Sequence, residues 1–322
     1  MLKKWFIKLI ISGTLAFTVL SVLCFFYYNI PSHKTCEDGS TDYIWEDNKS
    51  YFIATEGLSF GHTNNEGYFN ENDYNGENVD ILIMGSSHMQ GMSVNMDKNV
   101  THLLHDMTRL NVYNIGTTGH SFKTCISNFE KALLKYGPKM VVIETDKIEL
   151  SKLDIENVIN NRIEELPSIE TGIKAILQKN PFIRWSYSQV QSFLNTNNDS
   201  ISYDNINSFD YDETNRLIEY IADISKKYES KVIIVYHPAV FINEDGSMMT
   251  DCNESSSILF NEICTNNGLF YIDMSKKYVE EYDNNLVIPS GFANTLPASG
   301  HINENGHRMF AEEIIKKVEE IK

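Results

Sequence analysis

Val79-Asp-Ile-Leu-Ile-Met-Gly85-Ser-Ser-His-Met-Gln-Gly91 is the stretch whose reading decides the fold. Residues 79–84 form an apolar run of the length of a short buried strand. At Gly85 the chain can turn sharply without a Cβ penalty. Ser86, Ser87 and His88 follow at once, and a helical pattern covers residues 99–110. A strand, a tight turn and a helix together lift a serine hydroxyl out of the backbone at the carboxyl edge of a sheet. The same pattern also describes an ordinary βα turn, in which Gly and Ser are only turn and N-cap residues. The surrounding chain has to decide between them.

Downstream the pattern is α/β. Strands are expected at 79–84, 112–115, 140–143, 231–236 and 270–272. They alternate with helices at 99–110, 129–136, 212–228, 255–267 and from about 303 to the C-terminus. Such alternation predicts a mostly parallel sheet covered on both faces. Residues 151–210 read as a helical and polar insert, broken at Pro167 and Pro181. Its Trp185, Tyr187 and Phe193 could form a sugar-stacking platform or a lid, or simply pack the insert onto the sheet. Four strands deliver polar groups at their carboxyl ends: Ser86-Ser87-His88, Thr117-Thr118-Gly119, Glu144-Thr145-Asp146 and His237. Ligands bind at that edge of an open α/β sheet, although loops begin there in every α/β protein.

Upstream, residues 1–30 read as a membrane element. Lys3, Lys4 and Lys8 precede residues 9–28, which carry no charge, and about 20 apolar residues suffice to cross a bilayer as a helix. Acidic sequence follows, so the positive-inside bias places the N-terminus in the cytoplasm and the rest outside. A cleaved signal peptide is the alternative, but the run is long for one and no small-x-small site follows. The expectation is an uncleaved single-pass anchor (1–30), an extracytoplasmic linker with a short strand at 51–54 (31–78), and an α/β domain (79–322). The net charge of −17 argues against nucleic acid as a partner, since phosphate binding needs clustered Lys and Arg. Five cysteines are too few for a disulfide scaffold; Cys252 and Cys264 could pair outside the cell or remain two free thiols. No ligand spacing suggests a metal site, and no cofactor is expected.

Ser299-Gly-His301-Ile-Asn303-Glu-Asn-Gly-His307 sits just before the last amphipathic helix, for which Asn303 is a good N-cap. His301 lies on the loop entering that helix and can reach back over the sheet edge as a general base, or it is a surface histidine. His307 reads as a packing residue in the first turn.

Gly85-Ser-Ser-His88, Asn114-Ile-Gly116-Thr-Thr-Gly119 and His301-Ile-Asn303-Glu-Asn-Gly306-His307 resemble, in order, the first, second and last sequence blocks of the SGNH/GDSL hydrolase superfamily. The resemblance covers residues 79–322. It implies a flavodoxin-like three-layer α/β/α sandwich and acyl-ester chemistry. Carried over position by position, Ser87 is the nucleophile and His301 the catalytic histidine, with the N–H groups of Ser87 and Gly119 in the oxyanion hole. Ser86 stands where the first block usually has Asp. The third block's asparagine has no counterpart, because Glu144-Thr145-Asp146 occupies that strand end; Thr145 and Asn294 are candidates to supply the missing donor. The family's Asp, two or three residues before the histidine, is also absent, since those positions hold Ser299 and Ala298. Asp146 and Asp273 are candidates for the acid, and a Ser–His dyad is the alternative. His237 and His88 are expected to line the pocket.

Membrane-tethered relatives of this kind look like enzymes that add or remove acyl groups, commonly acetyl, on envelope polysaccharides. The resemblance therefore implies an extracytoplasmic serine esterase or O-acyltransferase acting on acylated carbohydrate. The other reading is a non-catalytic module that binds glycan or assists a membrane acyltransferase partner.

Overall fold

The computed structural model describes residues 2–35, 43–160, 179–195 and 209–321. In chain order the strands are β1 (Tyr28–Asn29), β2 (His33–Thr35), β3 (Tyr43–Trp45), β4 (Ser50–Ile53), β5 (Ser59–His62), β6 (Ile81–Met84), β7 (Val112–Asn114), β8 (Met140–Thr145), β9 (Lys231–Tyr236), β10 (Val240–Ile242), β11 (Met248–Thr250) and β12 (Phe270–Asp273). The helices are α1 (Leu2–Phe25), α2 (Ser87–Gln90), α3 (Val100–Thr108), α4 (Phe122–Ser127), α5 (Phe129–Tyr136), α6 (Lys152–Ile159), α7 (Pro181–Asn195), α8 (Tyr211–Lys227), α9 (Glu254–Asn266), α10 (Ser275–Asn285) and α11 (Glu304–Ile321).

β6, β7, β8, β9 and β12 form one wholly parallel sheet in the spatial order β7-β6-β8-β9-β12. The chain starts at β6, steps outward to β7, then returns to β8 on the other side. That reversal opens a crevice at the carboxyl ends of β6 and β8, the place where open α/β sheets bind ligands. Side chains alternate between two apolar layers because successive residues of a strand face opposite ways. Leu82, Met84, Val141, Ile143, Val232 and Ile234 pack under Phe129, Leu133, Ile155, Leu217 and Phe260, from α5, α6, α8 and α9. Ile81, Ile83, Val142, Ile233 and Val235 pack under Leu104, Tyr278, Phe310 and Ile314, from α3, α10 and α11. With both faces covered, β6 and β8 are buried along their whole length. The expected three-layer α/β/α sandwich with a parallel sheet is the one observed.

β8 runs two residues further than the apolar run predicts, which carries Glu144 and Thr145 into the sheet as buried residues. The hairpin β10–β11 and helix α10 have no counterpart in the sequence expectations. The helix SKKYVEEYDNN is polar, and its buried contribution is Ser275 and Tyr278, too few to mark a hydrophobic period. Cys252 and Cys264 are both free thiols. Cys264 is sealed in the core, whereas Cys252 Sγ lies 3.7 Å from Asp273 Oδ2.

Residues 43–78, read as part of a linker, carry strands. β1, β4 and β5 form an antiparallel sheet, and β2 pairs with β3. Trp45, Tyr51, Ile53 and Phe69 make a separate small core. This segment is fastened to the main sheet at β7: Asn70 Nδ2 donates to Asn114 O (2.9 Å) and Asn64 Nδ2 to the Tyr113 hydroxyl (2.7 Å). Of the expected insert, α6 packs into the core through Ile155 and Val158. Helix α7, which holds Trp185 and Tyr187, lies instead along α1, with Phe182 edge-on to Phe17; the side chain of Phe193 falls outside the described residues. Lys3–Phe25 is long and apolar enough to cross a membrane.

Ile83 is fully buried at the centre of β6. Ile83→Ala is expected to lower unfolding stability by about 2–5 kcal/mol, measured by urea denaturation.

Candidate active site

Met84 ends β6, and Gly85 follows with almost no room beside it. A Cβ there would meet Glu144 Oε2 at 2.5 Å and Met89 Cγ at 2.6 Å. Ser86 then caps α2, its side-chain oxygen accepting from the His88 N–H at 3.2 Å. Ser87 is the first residue of that helix, so its own N–H has no partner one turn back. This is the strand, turn and helix expected around Ser87.

His301 comes to meet it. Its Nε2 lies 2.9 Å from Ser87 Oγ. Its Nδ1 lies 2.5 Å from Glu56 Oε2, and its backbone N–H donates to Glu56 Oε1 at 2.6 Å. The acid facing the imidazole is therefore Glu56, not Asp146 or Asp273. Partial burial would raise the Glu56 carboxyl, but the side-chain and backbone hydrogen bonds from His301 and the imidazole charge outweigh it and hold it below the usual carboxylate range. An ionised carboxylate only accepts. The His301 Nδ1 therefore donates to Glu56, and in the neutral ring Nε2 is left to present its lone pair to the Ser87 hydroxyl. Glu56, His301 and Ser87 thus form an acid–base–hydroxyl chain from three distant parts of the sequence.

The two carboxylates proposed from sequence sit elsewhere. Asp146 is exposed on the loop after β8. Asp273 accepts from Ser257 and from the Ser275 N–H and hydroxyl, in a separate cavity of about 590 Å³ at the edge strand. Asn294 is not aimed at the serine either. Its Oδ1 accepts from Gly57 N (2.8 Å), and its Nδ2 donates to Ala54 O (2.9 Å). It clamps the loop that carries Glu56. Gly300, at φ +71°, lies so close to the Glu56 carboxylate that a side chain there would collide with it. Thr145 is spent locally, its hydroxyl donating to Lys147 O at 2.5 Å.

A second carboxylate lies directly beneath the serine turn. Glu144 is fully buried, with Oε2 accepting from Ser86 N (2.6 Å) and Oε1 from Ser86 Oγ (3.1 Å). His237 Nε2 stands 2.5 Å from the same Oε1. Burial would raise this carboxyl; the charge and hydrogen bond of His237 and the Ser86 N–H act against it, and the carboxyl lies below the ordinary value. His237 does not line an open pocket. It is buried, and its ring stands 4.7 Å from that of His88. His88 in turn lies 5.2 Å from the His301 ring, and its Nδ1 accepts from the Ile302 N–H at 3.2 Å. Burial first, then the charge of His237, pushes His88 down to about 3, so it packs as a neutral wedge. His307 is enclosed, accepts from Val100 N at 3.2 Å and is likewise pushed down to about 3 by burial, as its packing role requires.

The loop after β7 completes the surroundings. Asn114 Nδ2 donates to Met89 O (2.7 Å) and its Oδ1 accepts from Gly116 N (2.7 Å), while Thr117 N donates to Gly85 O (3.0 Å). These bonds seat the 116–119 loop beside α2. Gly119, at φ +86°, has an N–H with no acceptor among the described residues. No group of side chains among the described residues could hold a metal ion.

Glu56 and Glu144 are the two site residues that sequence reasoning missed. Glu56 stands in Ala54-Thr-Glu-Gly57, a polar loop with no motif spacing to His301. Glu144 was visible only as the residue displacing an expected asparagine.

No family model matches the chain, and no curated protein matches it. Among solved structures, the acetyl xylan esterase AlAXEase is 15% identical over 74% of this chain and all of its own, with a TM-score of 0.44. TesA is 10% identical over 76% of this chain and 99% of its own, at 0.42. A catalytic mutant of Axe2, an acetylxylan esterase from Geobacillus stearothermophilus, is 11% identical over 76% and 95%, at 0.43. At this distance the likenesses are remote, and the chemistry below rests on the site itself.

The folded state holds the Glu144 carboxyl below its unfolded value, so its contribution to stability is present above the unfolded value of about 4.5 and is lost as pH falls through the lower folded value. Glu144→Gln is expected to cost about 1–3 kcal/mol at neutral pH. It is also expected to flatten the fall in stability on acidification relative to the parent, read by chemical denaturation at stepped pH.

Proposed function

We propose that the chain is a membrane-anchored, extracytoplasmic serine esterase or O-acyltransferase acting on acyl esters, acetyl esters of cell-surface glycans foremost. The observation that carries the reading is the unbroken hydrogen-bond chain from Glu56 through His301 to Ser87 Oγ. The uncharged stretch of α1 after Lys8, with Lys3, Lys4 and Lys8 in the first turns of the helix, supports the anchor and its orientation.

The steps follow from the atoms present. Ser87 Oγ attacks the acyl carbonyl carbon while its proton passes to His301 Nε2. The carbonyl oxygen becomes an oxyanion, for which the N–H groups of Ser87 and Gly119 are the candidate donors; such a donor is typically worth about 3–4 kcal/mol. The ester C–O bond then breaks, and the imidazolium returns the proton to the departing alcohol oxygen. The acyl group is left on Ser87. Water, or an acceptor hydroxyl, next gives its proton to His301 and attacks the acyl carbon; the acyl C–Oγ bond then breaks, and the imidazolium returns that proton to Ser87 Oγ. Hydrolysis and transfer differ only in that last nucleophile. Glu56 holds the Nδ1–H tautomer and stabilises the imidazolium as it forms. Glu144 touches no reacting atom; through Ser86 it fixes the turn from which Ser87 projects.

The non-catalytic reading drew on a missing acid and a missing asparagine. Glu56 supplies the first, which favours the catalytic reading; Glu144 occupies the place of the second but donates nothing there, so the Ser87 and Gly119 N–H groups are the donors left for the oxyanion.

The test is labelling of the protein with a fluorophosphonate, with the adduct located by mass spectrometry. Modification at Ser87 that is lost in His301→Ala is expected; unmodified Ser87 in folded protein would overturn the proposal. Against an acetyl ester, Glu56→Gln is expected to reduce kcat by about 10³–10⁴-fold, whereas Asp146→Asn and Asp273→Asn leave it near the parent value.

A further inference from the structure

The catalytic acid is attached to the membrane helix by backbone hydrogen bonds. α1 ends at Phe25, and β1 begins at Tyr28. β1 pairs with β4 in the register Tyr28↔Ile53, and Ala54 N donates to Tyr27 O at 2.8 Å. Glu56 is two residues further on, a path of at most about 7 Å. Through Glu56 and the His301 ring, Ser87 Oγ is therefore held by a chain of hydrogen bonds and covalent links that spans at most about 35 Å from the end of α1. No loose linker separates the site from the span.

Helix α7 fixes the same geometry from another part of the chain. Phe182 packs edge-on against Phe17, with ring centroids 5.9 Å apart, and Asn180 Nδ2 donates to Ser21 Oγ at 3.1 Å. Phe17 lies eight residues inside the end of α1 at Phe25, about 12 Å along the axis. In the anchored chain of the proposed reading, the start of α7 therefore packs beside a turn of α1 that lies within the span. Arg184 sends its guanidinium back toward the surface, donating to Ile30 O and to Ser32 Oγ.

A strip of exposed and half-buried apolar side chains runs from the end of α1 to the loop that carries Glu56. The Phe26 ring lies 5.9 Å from that of Phe52. Phe52 pairs across the strands with Phe60, which is 63% exposed. Leu58, 64% exposed, adjoins it on the loop that carries Glu56. Polar surface would serve a site fed from water. A continuous apolar track from the helix end is instead suited to a bilayer surface.

We infer that the Ser87 site takes its acyl ester from a molecule anchored in the bilayer, a lipid-borne ester that reaches the serine along Phe26, Phe52 and Phe60. The inference rests on the catalytic reading of Ser87 and narrows its substrate class. A lipid-borne ester rises only a short way to meet the site, whereas polymer in an outer wall would have to come down to it.

The test uses the full chain in phosphatidylcholine vesicles and two probes, p-nitrophenyl acetate in the water and 4-methylumbelliferyl palmitate dissolved in the bilayer. The readout is the ratio of palmitate to acetate turnover, which is insensitive to partial loss of folded protein. Two variants are compared with the parent: an insertion of about twelve Gly and Ser residues between Phe25 and Phe26, and Phe60→Asp. Ser87-dependent turnover of both probes by the parent is expected, with the ratio falling by about tenfold or more in each variant. A ratio unchanged in both variants, or a parent that turns over acetate but not palmitate, overturns the inference while leaving the esterase reading in place. No Ser87-dependent turnover of acetate overturns both.

Discussion

A carboxylate withdrawn from water must be compensated by hydrogen bonds and opposite charge, and the site is built around two that meet this demand. Glu144, sealed inside the sheet, collects bonds from Ser86 and His237. Glu56, at the rim, collects two from His301. Each carboxylate determines the arrangement of one reactive partner. Glu144 holds the turn that presents Ser87, and Glu56 holds the ring that faces it. His88 stands between the two systems, in ring contact with both His237 and His301. The two systems are therefore packed against one another, and displacing either disturbs the other.

The parallel sheet supplies the frame for this arrangement. Reversal of strand order at β6 brings the ends of β6, β7 and β8 together, so Gly85, the 116–119 loop and Glu144 converge without any one segment containing the site. The N-terminal strands then add what the sheet lacks. Residues that follow α1 directly pair with β4, and β4 leads to Glu56. One short antiparallel sheet therefore serves both as the attachment to α1 and as the support for the acid. Asn294 completes that support by binding the Ala54–Gly57 loop from the His301 side.

How much was legible follows from the range of each signal. The apolar residues 81–84, 140–143 and 232–236 each mark a strand stretch covered on both faces, because such burial leaves its trace in consecutive residues. Ser87 and His301 were legible because each sits in a local motif of turn and cap residues. The insert was misplaced: α7 is amphipathic, and nothing in its own sequence says that its apolar face meets α1 rather than the sheet. Asn294 was proposed for a donor's role because it is polar and close in sequence to His301, but its amide is bound to a loop some 240 positions away.

The amino-acid sequence by itself determined the layered α/β architecture, the membrane-length helix before it, and the serine and histidine that face each other. All of these are written in short-range periodicity and local turn chemistry. Only the tertiary structure decided which carboxylate orients the histidine and that the strand leading to that carboxylate is paired with the segment following α1. A carboxyl group reaches its partner through space, and its neighbours in the chain carry no mark of that contact. Glu56 lies 245 positions from His301, and only the pairing of β1 with β4 and the seating of the Glu56 loop against the His301 loop bring the two within hydrogen-bonding distance.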